Sequence, residues 1–283
     1  MSSRSDVGAR IFVDDPLGGD HSWFSMVSQR RQNLVGTLST WSILALSLIP
    51  TLASCSPGGM PRSTASFART SATIVQPTNA TYPVNLIFVA ELDDAIWTDL
   101  TGIVLSDELS IPPGDFTVAR GDGANGATLG NVTFTLDIPA AGLSFRTVGL
   151  VFAGSPTITQ VPVGSWSLRG APADDFASAD AGADVVGMPR CTTADFPVPE
   201  AVASVQRFDP GSPDVHADEV ALDTRSHSVT AELACDGDFD FRVMSPSIDY
   251  TDGSGKAHTT RLAPVSVGFQ DVTDADLQRI ASR

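Results

Sequence analysis

Asn131-Val132-Thr133-Phe134-Thr135-Leu136-Asp137-Ile138 alternates apolar and polar side chains without a break. Successive side chains of an extended chain point to opposite faces, so this period of two describes a strand with one dry face and one wet face. Pro139-Ala140-Ala141-Gly142 follows as a turn, and 143–152 is a second run rich in apolar and β-branched residues; together they predict an antiparallel hairpin. Upstream, Val84-Asn85-Leu86-Ile87-Phe88-Val89-Ala90 is too continuously apolar for an exposed strand and reads as a buried one. Downstream, 219–222 with 228–233 and 247–250 with 258–262 predict two further hairpins, the second around the turn Asp252-Gly253-Ser254-Gly255. Short, regularly spaced strands separated by Gly, Pro and Asp turns predict an all-β chain built as one large β-sandwich or two small ones. Two helices are expected beside them. One is a short piece within 91–100 with Ala95, Ile96 and Leu100 on one side; the other is C-terminal, opened by the capping-box pair Thr273 and Asp276, with Leu277 and Ile280 on one face.

The address is written earlier. From Leu34 to Leu52 there is no charged residue, the densest part is Ile43-Leu44-Ala45-Leu46-Ser47-Leu48-Ile49, and Arg30-Arg31 stands just upstream. A charged n-region, a short apolar core and a small-residue end describe a secretory signal rather than a spanning helix, with everything after it outside the cytoplasm. The run closes on Leu52-Ala53-Ser54-Cys55. This tetrapeptide resembles the lipobox of bacterial lipoprotein signals. The resemblance implies cleavage before Cys55, a lipid on its thiol, palmitate among the acyl chains, and a chain anchored to the extracytoplasmic face of the cell membrane. Met26-Val27-Ser28-Gln29-Arg30-Arg31 also opens a signal of ordinary length, which makes Met26 an alternative start. Gln29 and Asn33 depart from the twin-arginine export pattern, so export as an unfolded chain is expected.

The organisation that follows is a signal over 1–54, a flexible tether over 55–80, a first β-sandwich or half over 81–170, an Ala/Asp-rich linker or loop over 171–190, and a second β-rich domain or half over 191–283. The tether is inferred from Ser, Thr, Pro and Ala with few large apolar residues, too little to offset ordering entropy. Ile111-Pro112-Pro113-Gly114-Asp115-Phe116-Thr117-Val118 and Val161-Pro162-Val163-Gly164-Ser165-Trp166-Ser167-Leu168 share a pattern in which Pro and Gly turn the chain before an aromatic begins a strand. This resembles the turn before a late strand in prealbumin-like and immunoglobulin-like bacterial surface domains. A generic turn into a strand produces the same pattern.

A net charge of −16 repels phosphate backbones, which excludes nucleic acid as an expected partner. With Cys55 lipidated, Cys191 and Cys235 remain as a pair in an oxidising compartment and are expected to form a disulfide. Asp236-Gly237-Asp238-Phe239-Asp240 places three carboxylates at alternating positions. One reading is a calcium site formed by Asp236, Asp238 and Asp240; the other is a solvated turn with Phe239 and Phe241 inward and the aspartates outward. His216, His227 and His258 are not at zinc-ligand spacing and read as surface residues. Trp97, Trp166, Tyr82 and Tyr250 either line a carbohydrate or peptide surface or fill the core. The loop 121–126 is glycine-rich but lacks the Lys-Ser/Thr ending of a phosphate cradle, and hydrolase motifs such as Gly-x-Ser-x-Gly and His-Glu-x-x-His do not occur.

These observations lead first to a non-enzymatic envelope lipoprotein that needs no cofactor and binds a cell-envelope protein or polysaccharide through loops or a strand edge. The alternative is a membrane-tethered hydrolase acting on cell-wall material, with loop carboxylates as acid and base. A transporter's solute-binding lipoprotein comes third, because such chains are α/β and no βαβ alternation is visible.

Overall fold

The computed structural model describes residues 63–107, 109–124, 126–177, 186–269 and 272–283. The alternating stretch lies in β7 (Ala127–Asp137), which pairs antiparallel with β3 (Thr81–Glu91) from Thr81↔Asp137 to Glu91↔Ala127. The period of two sorts its side chains: Val132, Phe134 and Leu136 are buried with Val84, Leu86 and Phe88 of β3, whereas Asn85, Asn131 and Thr133 hydrogen-bond to one another on the other face. β1 (Ser66–Phe67) and β6 (Phe116–Ala124) complete a sheet of order β1-β3-β7-β6.

The run 143–152 is β8 (Leu143–Phe152), but it does not pair with β7. It joins β9 (Ile158–Ala171) and β4 (Leu100–Ser106) in the facing sheet, alongside β2 (Thr70–Pro77) and β5 (Leu109–Ile111), in the order β2-β9-β8-β4-β5. The expected hairpin is therefore an arch from one sheet to the other. Both strands turn one apolar face to a common core, which alternation predicts equally well for strands that face each other and strands that pair. Named in chain order, the two sheets have the A-B-E-D and G-F-C neighbours of an immunoglobulin-type sandwich. Phe88, Phe134, Ile103, Leu150, Trp166 and Leu168 fill the space between them.

The segment expected to be a tether is corrected by the structure from Ser66 onward. Thr70–Pro77 is an interior strand, parallel to β9 on one side and to β15 (Phe241–Met244) on the other, with Ser71, Ala72, Ile74 and Val75 buried. Its small side chains suit a site where both neighbours crowd it, which a reading by composition mistakes for disorder. The earlier part of the expected tether, 55–62, and the whole expected signal lie outside the described residues.

The two expected downstream hairpins form. β13 (Val215–Asp223) pairs with β14 (Ser228–Cys235), and β16 (Ser247–Asp252) with β17 (Ala257–Arg261). With β11 (Thr193–Pro197) and β12 (Val202–Asp209) they make two three-stranded sheets, β11-β14-β13 and β12-β16-β17. Phe196, Phe208, Val229, Leu233, Met244 and Ile248 form a second apolar cluster. The hairpin of β16 and β17 continues past Pro246 and Pro264 into β15 and β18 (Val265–Val267), which pair with each other in a different sheet. Proline cannot donate to a ladder, and here the paired strands leave one sheet and enter another at their prolines. Through β15 against β2, and β10 (Val186–Met188) outside β18, the large sheet reaches eight strands, β10-β18-β15-β2-β9-β8-β4-β5. Where β15 bends away, the Ser245 hydroxyl accepts the buried N–H of Val75 at 3.0 Å, so that amide is not left unpaired.

The expected helix within 91–100 contracts to one 3-10 turn, Ala95–Trp97, because the chain must re-extend as β4 at Leu100. Asp94 caps it, accepting from the N–H of Ile96 at 2.8 Å. Of the expected linker, Ala173–Asp175 forms a second 3-10 turn, and 178–185 lies outside the described residues. The C-terminal helix α1 (Asp274–Ala281) has the expected capping box, and Leu277 and Ile280 seat on Ala68, Ile87, Val89, Leu129 and Phe241. Among the described residues no helix is long and apolar enough to cross a membrane.

The two repeat segments share a left-handed glycine but not a role. Gly114 (φ 96°) turns the chain between β5 and β6, whereas Gly164 (φ 99°) lies inside β9 beside β2.

Candidate functional site

Cys55 lies outside the described residues. Cys191 and Cys235 form a disulfide with Cα atoms 5.9 Å apart, fastening the chain just before β11 to the end of β14. This bond opens the loop that carries the three aspartates.

That loop is built around arginines. The buried guanidinium of Arg242 donates to the carbonyls of Asp236 at 2.8 Å and Gly237 at 3.2 Å, occupying the position a cation would take among backbone oxygens. Burial pulls Arg242 below its ordinary pKa, against the attraction of Asp214, Asp236 and Asp240. Asp240, expected to point outward, is buried instead. Its carboxylate accepts the backbone N–H of Arg69 at 2.7 Å, Nε of Arg279 at 2.9 Å and the guanidinium of Arg283, joining the start of β2 to α1. Asp238 is exposed and sits 3.3 Å from both Arg69 and Arg283, while Asp236 meets Nε2 of His216 at 2.7 Å. Asp236 has its own partner, whereas Asp238 and Asp240 share Arg69 and Arg283. Among the described residues, no group of three or more His, Cys, Asp or Glu side chains is placed to hold a metal ion.

The histidines are not brought together. His216 pairs with Asp236; His258 pairs with Asp252 at 2.9 Å and stacks on Tyr250; His227 occupies a left-handed turn. At the β16–β17 turn, the Ser254 hydroxyl, the His258 ring and the Lys256 N–H hold the Asp252 carboxyl well below the usual carboxylate range. The aromatic residues make no common platform either. Trp166 is core, burial pushes the Tyr82 phenol up, and half-buried Trp97 lies against Phe88 with the Arg120 guanidinium 4.4 Å above its ring.

The concave feature that sequence reasoning missed lies between β12 and β13. The connection after β12 carries the chain from one three-stranded sheet to the other, leaving both strands at the edge of their sheets and facing a groove of about 510 Å³. Val205, Val220, Leu222 and the edge of the otherwise buried Phe208 supply its apolar part, and Ser204, Gln206, Arg207 and Thr224 its polar part. Of the described side chains, Val220 is one of three large apolar ones that are strongly exposed, with Leu92 and Ile158. A bulge interrupts β13 between Asp218 and Ala221, where Glu219 adopts φ 45°. Exposed sheet edges recruit other strands unless bulges or charges blunt them; Val220 lies in the bulge itself, and the regular ladder of β13 resumes at Ala221. The signal that could have found the groove is the unequal spacing of apolar residues in 202–224, legible only once strand neighbours are known.

No protein-family model matches the chain, and no curated protein is significantly similar to it.

Proposed function

We propose that the chain is a non-enzymatic binding module of the cell envelope, held by a lipid on Cys55 at the outer face of the membrane. There it engages an envelope protein or polysaccharide through the groove between β12 and β13. The observation that carries the reading is the groove, part apolar and part polar, between two strand edges that have no neighbour among the described residues, on a chain whose N-terminal sequence ends in a lipobox. Among the described residues the lining offers two hydroxyls, Ser204 and Thr224, but no carboxylate or histidine to activate one, which supports binding over hydrolysis. The reading includes no cofactor; in the 236–240 loop Arg242 engages the Asp236 carbonyl and Arg279 the Asp240 carboxylate.

A photo-cross-linking side chain placed at Val220 in the membrane-bound full chain tests this, with exposed Ser144 on β8 as the control position. The expected result is a discrete adduct from Val220 and none from Ser144. The same adducts from both positions, or none from either, would overturn it.

A further inference from the structure

We propose that the groove between β12 and β13 takes an extended peptide segment of another protein, neutral except for one carboxylate, that adds as a strand along an exposed edge. This rests on the reading of the chain as a binding module and names the class of its partner. β12 has β16 as its strand neighbour and β13 has β14, so the ladder groups on their other sides face the groove without a strand partner among the described residues. A strand laid there recovers main-chain hydrogen bonds, and alternate side chains meet the apolar part of the lining, Val205, Val220 and Leu222, while the others face Ser204, Gln206, Arg207 and Thr224. The eight residues of β12, with register shifts between Val202 and Ser204 and between Val205 and Arg207, set the ligand at about six to eight residues at roughly 3.3 Å per residue.

Charge selects among such segments. Among the described residues Arg207 is the one ionised side chain lining the groove, on a chain with a net charge of −16. Its side chain is 69% exposed, and among the described residues its carboxylate contact is Asp209 at 3.4 Å on the same strand. An exposed pair of that kind is weak, so the guanidinium is free to take a ligand carboxylate in a bidentate pair. The surrounding negative charge disfavours a polyacidic ligand, which limits the segment to a single carboxylate opposite Arg207. The bulge that holds Glu219 and Val220 keeps that part of β13 from pairing indiscriminately and leaves 221–223 as its regular open edge, with Val220 contributing its side chain to the groove.

A displayed library of random linear dodecapeptides, panned on the detergent-solubilised full chain, tests this. Enriched peptides are then titrated against wild type, Arg207→Glu and Val220→Pro, with melting temperatures measured in parallel. The expected result is convergence on alternating apolar residues around one Asp or Glu. Such peptides bind each variant at least 10-fold more weakly, and a Glu→Lys peptide regains affinity for Arg207→Glu. Should Val220→Pro fail to fold, Arg207→Glu, an exposed change, carries the comparison alone. Failure to enrich, or equal binding to wild type and Arg207→Glu, overturns the proposal. So does sedimentation showing a dimer that Val220→Pro dissociates, since the occupant is then a second copy. A failed selection beside a specific Val220 cross-link removes the peptide strand and leaves the binding role standing.

Discussion

A β-carbon at Gly164 would run into the backbone of Thr70, and one at Gly211 into the carbonyl of Ser245. Both glycines also sit at positive φ, so Gly164→Ala and Gly211→Ala each combine backbone strain with a clash that no side-chain rotation relieves. Each is expected to cost about 2–4 kcal/mol in urea unfolding, whereas Gly253→Ala, with open space around its position, should cost far less. The aspartates of the 236–240 loop separate by burial in the same way. Asp240→Asn removes a fully buried charge from two arginines and should cost about 3 kcal/mol. Asp238→Asn, on an exposed carboxylate, should cost less than about 1 kcal/mol by the same unfolding measurement. Asp252 sets a pH test. Its carboxyl is depressed in the folded state, so its contribution is present above the unfolded value near 3.9 and fades as pH falls through the folded value. Thermal melts should show the gap between wild type and Asp252→Asn closing in acid below about pH 4, and a gap that widens there contradicts the assignment. These residue roles were only half legible in the sequence. The alternating carboxylates of 236–240 stand out, but the arginines that engage Asp240 lie 39 and 43 residues away, and Arg69 lies 171 away.

Elements defined by local chemistry read clearly, and those defined by their neighbours did not. Thr273 and Asp276 close a capping box within four residues, and Asp252-Gly253-Ser254-Gly255 turns a hairpin by its own hydrogen bonds, so α1 and the β16–β17 pair were visible in advance. β2 was hidden because Thr70, Ser71, Ala72 and Thr73 look like tether until β9 and β15 flank them. The arch from β7 to β8 was hidden because alternation reports a dry face and not which sheet a strand joins. The disulfide is the strongest test at this scale. It closes a loop of 44 residues, and replacing Cys191 and Cys235 with serine should cost about 4 kcal/mol, read by urea unfolding without reductant. A change under about 1 kcal/mol would mean that the unfolded chain is already constrained there.

At the scale of the molecule, β2 is the piece shared by everything. It borders β9 of the first sandwich, takes β15 on its other side, and holds Asp214, on the connection between β12 and β13, through the Ser71 hydroxyl. The all-β class was legible because hydrophobic period survives any topology. The groove was not, because an edge strand and a central strand carry the same alternation, and only the pairing tells them apart. The proposed role depends on where the mature chain resides, and the most direct test is its intact mass with membrane fractionation, beside Cys55→Ala. The expected result is a wild-type chain in the membrane fraction that begins at a lipid-modified Cys55, and a variant that is neither processed nor acylated. A wild-type chain that keeps residues before Cys55 and fractionates like the variant would contradict the anchored binding module.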